Sequence, residues 1–240
     1  MGRTFVTGDT HGTYDIDKLY SFKRNIGKTL TKKDKVIILG DWGGIFNPRD
    51  DYSDLEKIMH TFYDEAPWTT IAILGNHENY NKILKLPKIE KYGGLVYQGP
   101  GNVDILERGA IYTINNNTIW TMGGGLSIDK NYRIKDISWW DQEHPSREEL
   151  NRGIDVLSDA LGTVDYVLTH TGPIQLIQEF FGKGFNSHPK YKDPLSAYFD
   201  EIYSTYLINY KHWYCGHFHE DIKNSDLKFT IVYQDIIELK

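Results

Sequence analysis

Five short segments hold most of the side chains able to do chemistry in this chain: Gly8-Asp9-Thr10-His11-Gly12, Gly40-Asp41-Trp42-Gly43-Gly44, Gly75-Asn76-His77-Glu78, Thr169-His170-Thr171-Gly172-Pro173 and Gly216-His217-Phe218-His219. They offer carboxylates, imidazoles and an amide oxygen, and no thiolate. That donor set suits Mn, Fe, Zn, Co or Ni, whereas an iron–sulfur cluster or a structural zinc site asks for cysteines. Taken singly, each segment has an ordinary reading. Asp9 and His11 fit a turn and a surface position, Asp41 fits a helix cap, and His170 fits a core histidine satisfied by backbone. His217 and His219, two apart, fall on one side of an extended segment, which favours ligation. Five such segments, each at the end of an extended run, are too many for coincidence. The glycines ahead of Asp9, Asp41, Asn76 and His217 let the chain turn sharply off a strand.

Strands and crossover helices must position these residues. Arg3–Thr7 is short and β-branched and stops at Gly8-Asp9; Asp15 to about Asn25 then carries a helical stripe of Ile16, Leu19, Tyr20 and Phe22. Lys35–Leu39 is a near-continuous apolar run, the mark of a strand covered on both faces, and Thr69–Leu74 repeats it after a helical Asp54–Tyr63. Strand, polar loop and helix in rotation predict parallel strands, whose carboxyl ends are where ligands bind in open α/β sheets. From Gly94 to Thr121 the texture becomes antiparallel, with Asn115-Asn116-Asn117 as a hairpin turn. Residues 123–145 form a long loop of the kind that serves function. Ser146 with Glu149 predicts a capped helix to Leu161; a strand Val164–Thr169, a Gly/Pro/Lys-rich loop over 182–195, a helix Ala197–Ile208 and strands His212–Cys215 and Leu227–Tyr233 follow. No linker or repeat divides the chain, so one domain over 1–240 is expected, with insertions at about 123–145 and 182–195.

Composition narrows the setting. The chain has 240 residues, 40% hydrophobic and 25% charged, ordinary for a globular protein able to bury a core without disulfides. A net charge of −6 argues against extended nucleic-acid binding. The single cysteine, Cys215, makes no internal disulfide, and no apolar run spans a membrane. A cytoplasmic protein is expected; its 17 tyrosines leave the oligomeric state open.

In order and spacing, GD-x-H, GD, GNH, H and GH-x-H resemble the metallophosphoesterase, or calcineurin-like phosphoesterase, superfamily from residue 8 to residue 219. GDWGG, GNHENY, GGGLSIDK and SWW are further similar to small bacterial and phage-type members. The resemblance implies an α/β fold: a two-sheet β-sandwich of mixed strands flanked by helices in four layers. It implies a dinuclear centre of two divalent transition-metal ions, manganese first, with Fe, Zn, Co or Ni as the others. Asp9, His11 and His219 would hold one ion, Asn76, His170 and His217 the other, and Asp41 would bridge. Two ions about 3.5–4 Å apart acidify a shared water toward neutral pH and neutralise phosphate oxygens. His77 would protonate the leaving oxygen or steady the transition-state charge.

One departure is informative. Protein Ser/Thr phosphatases continue the second motif as GD-x-VDRG, where this chain has Gly43-Gly44-Ile45-Phe46. The Asp that would orient His77 and an Arg that grips phosphate are thus missing, with Asp50 or Asp51 as substitutes for the former. Arg133 is the candidate phosphate ligand. Trp139 and Trp140 either stack a base or aromatic leaving group, or cap the core beneath a lid. Trp42 is expected to wall the site, and His188 and Lys190 to sit on a flap. The implied activity is hydrolysis of a phosphodiester in a small or nucleotide-type substrate. A phosphomonoesterase, including a protein phosphatase, is the alternative, and a non-catalytic metal-binding scaffold is the reading from another class.

Overall fold

The computed structural model describes residues 2–185, 192–207 and 209–240; His188 and Lys190 lie outside them. One sheet has seven strands in the order β13 (Ile236–Glu238), β1 (Thr4–Thr7), β2 (Lys35–Leu39), β3 (Thr69–Ile73), β6 (Val103–Leu106), β5 (Gly94–Gly99) and β4 (Lys88–Lys91). The other has six, in the order β11 (Ile222–Asn224), β12 (Phe229–Ile231), β10 (His212–Cys215), β9 (Tyr166–Thr169), β8 (Asn117–Met122) and β7 (Ala110–Ile114). Both are mixed in the same way. β1, β2, β3 and β6 run parallel, as do β12, β10, β9 and β8, while the outer strands β13, β11 and β7 and the β5–β4 hairpin pair antiparallel.

Alternation along the strands builds the layers. Val6, Ile37, Leu39, Ile71 and Ile73 face inward and meet Ile114, Ile119, Tyr166 and Leu168 of the second sheet in one apolar layer. Their neighbours Phe5, Val36, Ile38 and Ala72 face outward against α1 (Asp17–Arg24), α2 (Asp54–Asp64) and α3 (Tyr80–Ile83) through Leu19, Phe22, Met59, Phe62 and Ile83. On the far side, Trp120, Val167, Trp213, Cys215 and Phe229 pack on α4 (Arg147–Asp159), α5 (Ile174–Phe181) and α6 (Pro194–Glu201). The result is four layers: helices, sheet, sheet, helices.

Local chemistry sets the elements. Ser146 and Glu149 form the expected capping box at α4, and Ser53 with Glu56 forms another at α2. Asn115 and Asn116 take φ of 48° and 70° in the β7–β8 turn, the left-handed pair that a tight hairpin asks for. The helix expected over 197–208 starts earlier, because Asp193 caps it ahead of Pro194, and it closes in a wider turn over Ile202–Tyr206. β4, β11, β13, α3 and α5 were not foreseen from the sequence. No helix among the described residues is long and apolar enough to cross a membrane.

Candidate metal centre

β1, β2, β3, β9 and β10 all end on the same rim, and the five segments follow directly from them. Asp9 and Asp41 are buried together with His170. Asp41 Oδ2 lies between two imidazoles, 3.4 Å from His11 Nε2 and 3.5 Å from His170 Nε2. Asp9 Oδ2 is 3.1 Å from His219 Nε2 and 3.9 Å from His11 Nε2. His170 Nε2 further faces Asn76 Oδ1 at 2.9 Å and His217 Nδ1 at 3.2 Å. All seven side chains expected to hold metal therefore meet at one place. Within it, Asp9, His11 and His219 form one group able to share an ion, and Asp9, Asp41 and His170 another.

The backbone is bent to achieve this. His11, Asp41, His217 and His219 sit at φ of 42°, 49°, 69° and 52°, in the left-handed region that non-glycine residues avoid. Such residues cost about 1–3 kcal/mol each and persist only where the surroundings hold them. The holding is visible. Asp41 Oδ1 accepts the His77 amide at 2.7 Å, and Asp9 Oδ1 accepts the His217 amide at 3.0 Å. Close approach is the reason for two of the glycines. A Cβ on Gly75 would fall 2.0 Å from Asp41 Oδ1, and one on Gly40, at φ +96°, would fall 2.1 Å from His170 Nδ1.

A further set of residues orients the ligands, and sequence reasoning missed it. Asp15 accepts from His11 Nδ1 at 2.7 Å and from the Tyr233 hydroxyl at 2.8 Å. His170 Nδ1 donates to the Leu39 carbonyl at 2.7 Å. In both histidines this turns Nε2 toward the carboxylates, leaving it as the nitrogen able to hold an ion. Asn76 Nδ2 donates to Ser127 Oγ at 3.0 Å, which aims its oxygen inward. Tyr233 stacks on His219, with centroids 4.9 Å apart, and Lys18 reaches beneath to the carbonyls of Gly8, Asp9 and Tyr233. Only the Asp15 link, four residues from His11, has a sequence signal.

The electrostatics fit a cation. Burial alone would raise both aspartates, but His170 and the other histidines outweigh it and hold Asp9 low and Asp41 well below the carboxylate range. Burial likewise opposes charge on His11 and His170, yet Asp41 and Asp9 push each up to about 9. Burial, with His170 beside it, drives His217 down to about 3. A buried pair of carboxylates requires compensating positive charge, and the side-chain partners here are imidazoles. Nitrogen and oxygen lone pairs converging on so little space suit divalent ions.

His77 lies at the edge of this cluster, its ring 5.9 Å from that of His11. Burial first, with Arg133 adding to it, lowers its pKa against the pull of Asp41. Arg133 Nη2 is 3.4 Å from His77 Nε2, while its other nitrogens bind Asp129 Oδ1 at 2.8 Å and the Ser138 carbonyl at 3.0 Å. Asp50 and Asp51 are exposed, and the charged side chain set against the His77 ring is Arg133. Of the aromatic residues, Trp140 takes the core-capping alternative and the expectation for Trp42 is corrected. Trp140 is fully enclosed, edge-on to Phe46 at 5.6 Å, and has no face for a base. Trp42, expected to wall the site, is core packed on Tyr63. Trp139 is half-buried under the Lys130 ammonium, 5.8 Å from the ring.

A cleft of about 480 Å³ opens from His11, His77 and Arg133 and runs between residues 12–14 and 46–48 to the start of α2. Among solved structures, the chain is similar to the protein of unknown function AQ665 from Aquifex aeolicus, at 17% identity over 71% of this chain and 81% of that one, with a TM-score of 0.37. It is also similar to GAP50, the anchor in the inner membrane complex of Plasmodium, at 13% identity over 97% of this chain and 71% of that one, with a TM-score of 0.44. No curated protein matches it. The calcineurin-like phosphoesterase family matches residues 2–221, nearly the whole length, and this chain belongs to that family.

Proposed function

We propose that this chain is a metal-dependent phosphoesterase acting on a small, nucleotide-type phosphodiester. The observation that carries the reading is the buried Asp41 carboxylate set between His11 and His170. Asp9, His11 and His219 would hold one ion and Asn76, His170 and His217 a second, with Asp41 between them; manganese is the ion taken first, and the same donors accept Fe, Zn, Co or Ni. When bound, the ions supply Lewis acidity toward phosphate oxygens and make water nucleophilic near neutral pH.

The remaining work belongs to side chains. Arg133, steadied by Asp129 and Ser138, keeps Nη2 directed at the cleft mouth, where it can bind a phosphate oxygen. His77 Nε2 faces the same point and can give a hydrogen bond or proton to the leaving oxygen. Arg133 is the one Lys or Arg among the described residues lining the cleft. A single guanidinium matches the one negative charge of a diester better than the two of a monoester. The lone cysteine, buried and with its thiol held well above the usual range by burial, suits a reducing compartment such as the cytoplasm.

The test is hydrolysis of bis-p-nitrophenyl phosphate beside p-nitrophenyl phosphate, with protein stripped of metal and then reloaded with manganese. Turnover that requires the metal and prefers the diester is expected. Preference for the monoester would transfer the assignment to a phosphomonoesterase, and two bound ions with no turnover would favour a binding scaffold. His77→Ala should keep metal content while lowering turnover at least about tenfold, and up to the 10²–10⁴-fold that proton transfer typically contributes. Unchanged rates would remove His77 from the reaction.

A further inference from the structure

The cleft beyond His77 has a composition that the phosphate chemistry does not require. Past Arg133 its lining includes Tyr14, Phe46 and Pro48, with Leu55 and Met59 from α2. Tyr14 and Leu55 are 84% and 54% exposed, large apolar groups left uncovered at the rim. The one acidic residue, Glu56, is fully engaged. Its Oε1 accepts the amides of Phe46 and Asn47 at 2.6 and 2.9 Å, and its Oε2 accepts the amide and hydroxyl of Ser53 at 2.6 and 2.8 Å. Those four bonds make the wall rigid. Asn79 ties it down further by donating to the carbonyls of Asn47 and Ile45 at 2.9 and 2.8 Å. The cleft is thus preformed, cationic at the mouth and apolar within.

We propose that this cleft is a subsite for a flat aromatic group esterified to the reacting phosphate. The inference rests on the phosphoesterase reading and names the substrate class of that site. Its volume falls within the range of small-molecule pockets, enough for one or two fused rings. An apolar cleft with no cation past its mouth disfavours a polyphosphate chain, whose charges would be desolvated without partners. A ring lodged among Tyr14, Phe46, Leu55 and Met59 instead buries apolar area against aliphatic and aromatic side chains. A short alkyl ester would leave the same walls wet.

The experiment measures binding by titration calorimetry of phenylphosphonate and methylphosphonate to the manganese-loaded protein. Phenylphosphonate should bind about tenfold more tightly, the gain expected from burying one ring. Tyr14→Ser and Leu55→Ser, made at exposed side chains so that the fold is kept, should each remove several-fold of that preference and leave methylphosphonate affinity as it was. Equal affinities, no binding of either, or variants that weaken both ligands alike would overturn the subsite. The two readings separate cleanly. Selective binding of the phenyl compound by a protein that hydrolyses neither nitrophenyl ester keeps the subsite and removes the esterase. Metal-dependent turnover without ring preference does the reverse.

Discussion

Asp41→Asn should abolish turnover, by about 10³-fold or more, and lower metal content from two ions toward one or none; the scale is that of losing a preorganised charge from a water-poor site. The side chain keeps its shape, so what changes is charge and one donor. Asp41 Oδ1 accepts the His77 amide, and Oδ2 stands 3.4 and 3.5 Å from two imidazole nitrogens. An amide in its place must either turn an N–H toward the His77 N–H or present it to nitrogens that need their lone pairs free. Neither orientation satisfies both sides. It also leaves Asp9, 3.9 Å away, as the buried carboxylate paired with His170. Metal content by elemental analysis, read beside turnover of the diester, separates loss of ions from loss of chemistry. Full metal content with retained activity would remove Asp41 from the bridging role proposed for it.

Much of this architecture is legible in the chain. Lys35–Leu39 and His212–Cys215 have the bounds the sequence suggests, because a strand covered on both faces leaves a continuous apolar run. The segments after them are legible too, since a ligand at a strand end needs a turn and a donor in adjacent positions. What was not legible has identifiable causes. β4 reads Lys-Ile-Glu-Lys, and β11 and β13 are three residues long; edge strands with exposed charges resemble loops. α5 has no side-chain cap, and its Ile-Gln-Leu-Ile-Gln-Glu-Phe-Phe run follows a His-Thr-Gly-Pro turn that absorbs attention. Ser127 bonds Asn76 and Tyr233 bonds Asp15, partners 51 and 218 residues away along the chain, and no local pattern encodes that. Trp139 and Trp140 show the limit of composition. Two adjacent tryptophans suggest a stacking platform, yet their side chains point apart, one half-exposed and the other in the core.

Gly75→Ala should be nearly as damaging as Asp41→Asn, though it removes no functional atom. The added methyl would lie 2.0 Å from Asp41 Oδ1 and 2.3 Å from the Asp41 backbone nitrogen. Those are the end of β2 and its carboxylate, neither of which is the flexible tip of a long side chain. Relief therefore requires the β2 and β3 ends to separate, and the bond from the His77 amide to Asp41 is the first to break. The layers below are built from Ile37, Leu39, Ile71 and Ile73 and do not depend on that rim, so the chain should still fold. The expected phenotype is a modest fall in melting temperature with metal content and diester turnover lost together, turnover by about 10²-fold, the upper end of what removing supporting contacts around metal ligands costs. Gly93→Ala supplies the contrast. Nothing lies within 4 Å of a Cβ there, but φ is +82°, so the cost is backbone strain of about 1 kcal/mol with the site intact. If Gly75→Ala behaved like Gly93→Ala, losing stability alone, the close approach of β3 to the Asp41 carboxylate would not be what assembles the centre.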